Sequence, residues 1–214
     1  MPALMSERLI IFTRFPQPGK TKTRLIPILG KQGAADLQRQ MTEHIISTVG
    51  VASKRAGLTV GVCYEGGNAG LMREWLGPQF IYRPQGSGNL GQRINKAFKE
   101  AFEAEIEAVV IVGSDIPEIS ADIIQRAFRA LRNNDLVLGP AHDGGYYLIG
   151  MQRAAAFRAN PLLFRRIKWG SDEVLAQTLD TAGALGLSFV LLEFLADIDR
   201  PEDLQVWQKL KTRT

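Results

Sequence analysis

Three short segments carry residues whose types and spacing suit phosphate and metal chemistry. Residues 10–25 read IIFTRFPQPGKTKTRL: an apolar run, a Pro/Gly turn, then Lys20, Lys22 and Arg24 two apart. Phosphate oxygens need positive charge and donors at close range, with Arg14 and Gly19 as neighbours; a glycine also lets the backbone approach. No acidic residue occurs between Arg8 and Ala35. The segment is not the Walker phosphate loop, because only its terminal Gly-Lys-Thr matches that pattern. Residues 108–119, AVVIVGSDIPEI, deliver Asp115 to the carboxyl end of an apolar strand that Pro117 must stop. A carboxylate there is placed to hold Mg²⁺ (or Mn²⁺) against phosphate oxygens. Residues 195–204, LADIDRPEDL, alternate Asp197 and Asp199 along an extended stretch, so both can point to one side. Asp199 is the candidate second metal ligand, while Glu202 and Asp203 read as the first turn of a helix.

Two glycine-rich loops complete the set. In GPAHDGGYYLIG, Asp143 precedes Gly144 and Gly145, either as a turn former or to bind an acceptor hydroxyl. In RPQGSGNLGQR, backbone groups at the start of a helix can read a base edge. Arg93 opposes the helix dipole there unless an anion is near. Trp169 follows the basic Arg165, Arg166 and Lys168 and either covers the acceptor site or packs an edge. One of Tyr146 and Tyr147 should be core and the other a cleft residue.

These loops need strands to launch them. Short β-branched runs predict strands at 9–13, 58–64, 80–83, 108–113, 136–139, 146–150 and 188–194. Between them, helical spacing predicts helices at 33–54, 90–102, 120–131, 171–185 and 201–211, several with capping residues or an N-terminal proline. Alternating strand and helix, with the early strands apolar throughout, indicates an α/β fold: one mostly parallel sheet between two helical layers. Ligands of such folds sit beyond the carboxyl ends of the strands, which is where the segments above fall.

Composition narrows the class. The 214 residues are 45% hydrophobic and 22% charged, ordinary for a globular chain read as one domain over 1–214. No apolar run is long enough to span a bilayer, and the N-terminal run is too short for a signal peptide. A lone cysteine, Cys63, excludes an internal disulfide and a thiolate metal site, and fits a cytoplasmic location. The basic excess behind the net charge of +4 lies in residues 8–35, which carry Arg8, Arg14, Lys20, Lys22, Arg24 and Lys31 and no acid. That suits a small polyanion such as a nucleotide better than a nucleic acid duplex.

In order, PxPGKxKTRL, QGxGxLGxR, GSDxP, DGGYYLIG and DIDxPEDL resemble a bacterial glycosyltransferase-like family related to 2-phospho-lactate guanylyltransferase. Its members are often described as arsenosugar-biosynthesis glycosyltransferases or nucleotide-diphospho-sugar transferases. The resemblance runs over about residues 9–204. It implies the glycosyltransferase type A (nucleotide-diphospho-sugar transferase) fold and a divalent metal. By that resemblance Lys20, Lys22 and Arg24 meet the phosphates, Gln85, Leu90 and Gly91 read the base, and Asp115 and Asp199 hold the metal. Asp115, Lys22 and Asp143 are then the catalytic candidates, and Asp143, Gly144, Gly145 and Trp169 the acceptor wall. The implied partners are a nucleotide or nucleotide sugar and a small acceptor, with no nucleic acid or membrane. Glycosyl transfer from a nucleotide-diphospho-sugar is the first expectation. Nucleotidyl transfer from an NTP to a phosphorylated acceptor, with pyrophosphate leaving, is the alternative. A non-catalytic nucleotide-binding protein is a third reading.

Overall fold

The computed structural model describes residues 6–159 and 162–211. The chain runs β1 (Glu7–Arg14), α1 (Ile26–Ala56), β2 (Thr59–Glu65), α2 (Ala69–Leu76), β3 (Ile81–Pro84), α3 (Leu90–Glu103), β4 (Ala108–Gly113) and α4 (Ala121–Leu131). It continues with β5 (Leu136–Pro140), β6 (Tyr146–Gln152), α5 (Arg153–Ala159), α6 (Val174–Ala184), β7 (Phe189–Leu191) and α7 (Leu204–Lys211). The seven strands form one sheet in the order β3-β2-β1-β4-β6-β5-β7. β6 is antiparallel to both its neighbours, and the other pairings are parallel.

Alternation along the strands explains why the early ones are apolar throughout. Leu9, Ile11, Val110 and Val112 enter a core shared with α1, α2 and α4. Ile10, Phe12, Val109 and Ile111 face the opposite core with α3, α5 and the segment around Leu163 and Phe164. Each face has its own helical cover, so neither parity of side chain meets water. A third cluster joins Leu25, Leu37 and Met41 to Ile198 and Trp207, and so ties the end of the chain to its first loop.

The strand predictions agree with the sheet, except that the last strand is only three residues long. Two helices carry no sequence prediction. α2 is eight residues long, capped by Asn68 accepting from the Leu71 N–H, and buries Met72 and Leu76. α5 is seven residues long and buries Ala155 and Ala159. Both are too short for a helical period to show. α1 begins earlier than predicted and is interrupted at Gly30, whose φ of 69° and ψ of 170° are not helical. The predicted 201–211 helix opens as a single 3₁₀ turn, Pro201–Asp203.

Candidate active site

The chain turns back across the sheet between β1 and β4: β2 and β3 build outward on one side, and β4 starts the other. Such a switch point leaves a crevice at the strand ends. Here it is a cleft of about 690 Å³, floored by Phe12 to Arg14, Glu65, Gln85 and Gly113 to Asp115. Its size suits a nucleotide-sized ligand. Beneath the floor, buried polar groups lock the strand ends to α1. Thr13 and Thr42 share a hydroxyl hydrogen bond of 2.8 Å, and the Gln38 amide donates to Ser114 Oγ at 3.2 Å.

Lys22 occupies the centre. Its Nζ lies 2.9 Å from Asp115 Oδ1 and 3.1 Å from Asp199 Oδ1, and donates to the Ile198 carbonyl at 2.6 Å. Burial alone would lower its pKa, but the two carboxylates outweigh that and leave it raised, so the ammonium stays charged. The residue sits at φ 47° and ψ 45°, a left-handed conformation that costs a non-glycine residue about 1–2 kcal/mol. That conformation turns the chain into the Thr23–Leu25 turn, and the ion pairs offset its cost. Arg24, largely exposed, holds the other Asp199 oxygen at 3.0 Å. The two acids therefore converge on one side of the cleft. Lys22 differs from the expectation of an open phosphate ligand, since its donors are engaged by oxygens of the protein.

The donors here are hard oxygens, and both carboxylates remain well exposed, at 46% for Asp115 and 39% for Asp199. Among the described residues no group of three or more His, Cys, Asp or Glu side chains is arranged to hold a metal. Mg²⁺ is commonly held by one or two carboxylates, with substrate phosphates and water completing its shell. The set fits an ion shared with a phosphorylated ligand. Asp197 lines the same wall; burial first, then the nearby Asp143 carboxylate, raises its pKa. It belongs with Asp199, and the Asp-Ile-Asp alternation was the signal for it.

At one end of the cleft, Glu65 Oε2 meets Arg14 at 2.9 Å and Arg93 at 3.2 Å. Arg93 also donates to Gln85 Oε1 and to the Gly88 carbonyl. Gln85 is buried, and its Nε2 donates to the backbone carbonyls of Thr13 and Cys63. It braces the floor and Arg93, with its amide hydrogens spent on the backbone, so direct base reading by that amide is not what this arrangement offers. Glu65 was not singled out from the sequence, although like Asp115 it is an acid at the end of a strand.

Asp143, Gly145, Tyr146 and Trp169 also line the cleft. Asp143 Oδ1 accepts from the Gly145 N–H at 2.9 Å, a turn-forming contact. Trp169 meets Tyr146 edge-on at 6.3 Å, and its Nε1 is buried without a hydrogen-bond partner among the described residues. Tyr147 is buried in the core and Tyr146 is half-buried, yet both reach the cleft, so the pair does not divide into one core and one cleft residue.

Four candidates stand outside the lining. Lys20 is exposed, and Gly19 turns at φ 80° beside the Lys31 side chain. Gly91 is buried under Trp169, where a Cβ would come 2.3 Å from the indole Cζ2, so it seats the indole rather than touching a base. Gly144, at φ 85°, packs against the Asp172 backbone so tightly that a Cβ would lie 2.1 Å from its carbonyl oxygen.

Strand order and cleft together define a nucleotide-diphospho-sugar transferase-like fold. The chain belongs to the family described as uncharacterized proteins conserved in bacteria (DUF2064), matched over residues 48–171. A crystal structure from Desulfovibrio desulfuricans G20, of a candidate nucleotide-diphospho-sugar transferase, superposes with a TM-score of 0.88 at 33% identity. It covers 96% of this chain and 88% of its own. The chain is 31% identical over 136 residues to 3-phospho-D-glycerate guanylyltransferase of Phenylobacterium zucineum, covering 59% of this chain and 56% of that protein. It is also 31% identical over 94 residues to 2-phospho-L-lactate guanylyltransferase of Methanopyrus kandleri, covering 44% of this chain and 46% of that protein. The match thus spans about half the length of these curated relatives. A CTP complex of CMP:2-keto-3-deoxy-manno-octonic acid synthetase shares the fold at a TM-score of 0.60 and 14% identity, covering 97% of this chain and 99% of that one.

Proposed function

We propose that this protein is a nucleotidyltransferase that joins the nucleoside monophosphate of a guanine nucleotide to a small phosphorylated acid and releases pyrophosphate. The observation that carries a phosphate-handling site is the convergence of Asp115, Asp199 and Lys22 at the β1/β4 switch point. The choice of nucleotidyl over glycosyl transfer is supported by the two curated relatives, both named as guanylyltransferases of phosphorylated acids. Glycosyl transfer, the first expectation from sequence, gives way to it, although the D. desulfuricans structure points toward sugar transfer.

In the proposed reaction an acceptor phosphate oxygen attacks the α-phosphorus of the triphosphate. The bond from that phosphorus to the bridging oxygen breaks, and its electron pair leaves with pyrophosphate. The residues act by positioning and charge rather than by covalent participation. Lys22 holds two like-charged carboxylates side by side before substrate arrives. Asp115 and Asp199 would hold a divalent cation jointly with the phosphate oxygens, supplying neutralisation of charge on the leaving group. Arg24, open to solvent, can turn from Asp199 toward a phosphate. The Asp143 carboxylate is suited to accept from an acceptor hydroxyl.

The test is to incubate the protein with Mg²⁺, GTP and a panel of phosphorylated hydroxy acids, and to follow pyrophosphate. Acceptor-dependent pyrophosphate release is expected. Release of a nucleoside diphosphate from nucleotide sugars instead would restore glycosyl transfer. Binding of nucleotide without any product would make this a binding protein.

A further inference from the structure

Resting on that nucleotidyltransferase reading and deepening it, we infer that the Lys22 ammonium fills the divalent cation's seat in the ligand-free protein. It is displaced onto a phosphate oxygen when metal and nucleotide bind together. Nζ lies among three hard oxygens: Asp115 Oδ1 at 2.9 Å, Asp199 Oδ1 at 3.1 Å and the Ile198 carbonyl at 2.6 Å. Carboxylate and carbonyl oxygens are the donors that Mg²⁺ and Mn²⁺ take. The point on which both carboxylates converge is therefore already occupied by positive charge.

Three observations favour exchange over a permanent ion pair. The ammonium fits imperfectly: Asp115 Oδ1 is buried without a hydrogen-bond partner among the described residues, so Lys22 holds it by charge and not by an aligned N–H. A buried oxygen left in that state is costly, and a spherical ion has no donor direction to misalign. The oxygens also have a tie that does not pass through Lys22. The Ile198 N–H donates to the Asp115 carbonyl at 3.0 Å, which fastens the backbone beside Asp199 to that of Asp115. Finally, the Lys22 side chain borders the cleft but is only 2% exposed, so Nζ cannot meet a phosphate until it leaves the two acids. Its flexible four-carbon stem permits that movement. A divalent ion brings twice the charge to the same carboxylates, and the phosphates give the ammonium new acceptors. Without nucleotide the displaced ammonium would be stranded. Metal and nucleotide therefore favour each other's binding, each by the same factor.

The experiment is titration of the nucleotide-free full chain with Mn²⁺, read from the electron paramagnetic resonance of the free ion. The wild type is expected to bind weakly. Lys22→Met, which removes the resident charge, should bind Mn²⁺ at least tenfold more tightly, while Lys22→Arg, which keeps a cation there, should stay weak. A lysine that only organises the two acids predicts the reverse, because its loss would let the carboxylates part. Mn²⁺ binding by Lys22→Met no tighter than by the wild type overturns the inference. Should the methionine variant not fold, Lys22→Gln serves in its place, neutral yet able to donate to the Ile198 carbonyl, with the same tightening expected. In a second titration GTP should raise the Mn²⁺ affinity of the wild type at least tenfold and that of the neutral variant by less, since no ammonium is left to displace. An equal effect of GTP on both proteins also overturns the exchange. If GTP binds neither protein, the nucleotidyltransferase reading falls, and the nucleotide-free comparison still judges Lys22 by itself.

Discussion

The ammonium of Lys22 lies 2.9 Å from the carboxylate of Asp115, joining the first loop of the chain to the end of its central strand. The same ammonium holds Asp199 at 3.1 Å. One buried cation therefore organises both candidate metal ligands.

Lys22→Met removes that cation and leaves two facing carboxylates. Breaking a buried pair costs about 3–5 kcal/mol, but both acids here are more than a third exposed, so water and salt screen them. A loss of about 1–2 kcal/mol is expected by urea unfolding, together with at least a hundredfold fall in turnover. A double-mutant cycle with Asp115→Asn should show coupling of roughly 1 kcal/mol. Additive effects would show that the two residues do not act together.

Metal and nucleotide should stabilise the protein together rather than separately. The described residues offer two exposed carboxylates and no three-ligand cage. Mg²⁺ alone is expected to leave the thermal midpoint nearly unchanged. Mg²⁺ with GTP at about a hundred times Kd should add about 2.7 kcal/mol. Asp115→Ala should abolish this synergy while keeping the fold. Retained metal-dependent turnover in that variant would remove Asp115 from the metal site.

Gly91→Ala tests the seat of Trp169. The added methyl meets the indole at 2.3 Å, so the ring must shift. Overpacking of this kind costs about 1–3 kcal/mol. Trp169→Leu in the same chain should recover most of the lost stability but not the acceptor KM, since the indole lines the cleft. Failure of the second substitution to restore stability would show that Gly91 is needed for another reason.

Cys63 predicts an alkaline limit. Burial first, then the Glu100 carboxylate, pushes its thiol from 9.0 up to about 12. The folded state holds this proton more tightly than the unfolded chain. The stabilising contribution is complete below pH 9 and is lost as pH rises toward 12, at up to about 1.4 kcal/mol per pH unit. A thiol reagent at pH 8 should leave the native protein unmodified and label one cysteine in denaturant. Rapid native-state labelling would contradict the burial.

The layered fold was legible because it is written in local pattern. β4 needs an apolar residue at every position, α3 repeats Ile94, Ala97, Phe98 and Ala101 on one side, and Pro117 and the Gly/Pro loops mark the strand ends. α2 and α5 were not legible, since one or two turns carry too little period to separate from loop. Among the candidate residues, Asp115 and Asp199 could be singled out because a strand end and an alternating Asp-Ile-Asp stretch each imply a direction. Glu65 and Arg93 could not be joined, for their partnership depends on β2 lying beside β1 with α3 folded over the gap.

The sequence by itself determined the sheet, the strand-end loops and the chemical types delivered to them, because backbone period and turn chemistry are properties of neighbouring residues. Tertiary structure alone decided what each of those groups touches. It turned Lys22 inward onto two acids, spent the Gln85 amide on the backbone and paired Glu65 with Arg14 and Arg93. Charge acts through distance in space, and that distance exists only once β1, β2 and β4 are side by side.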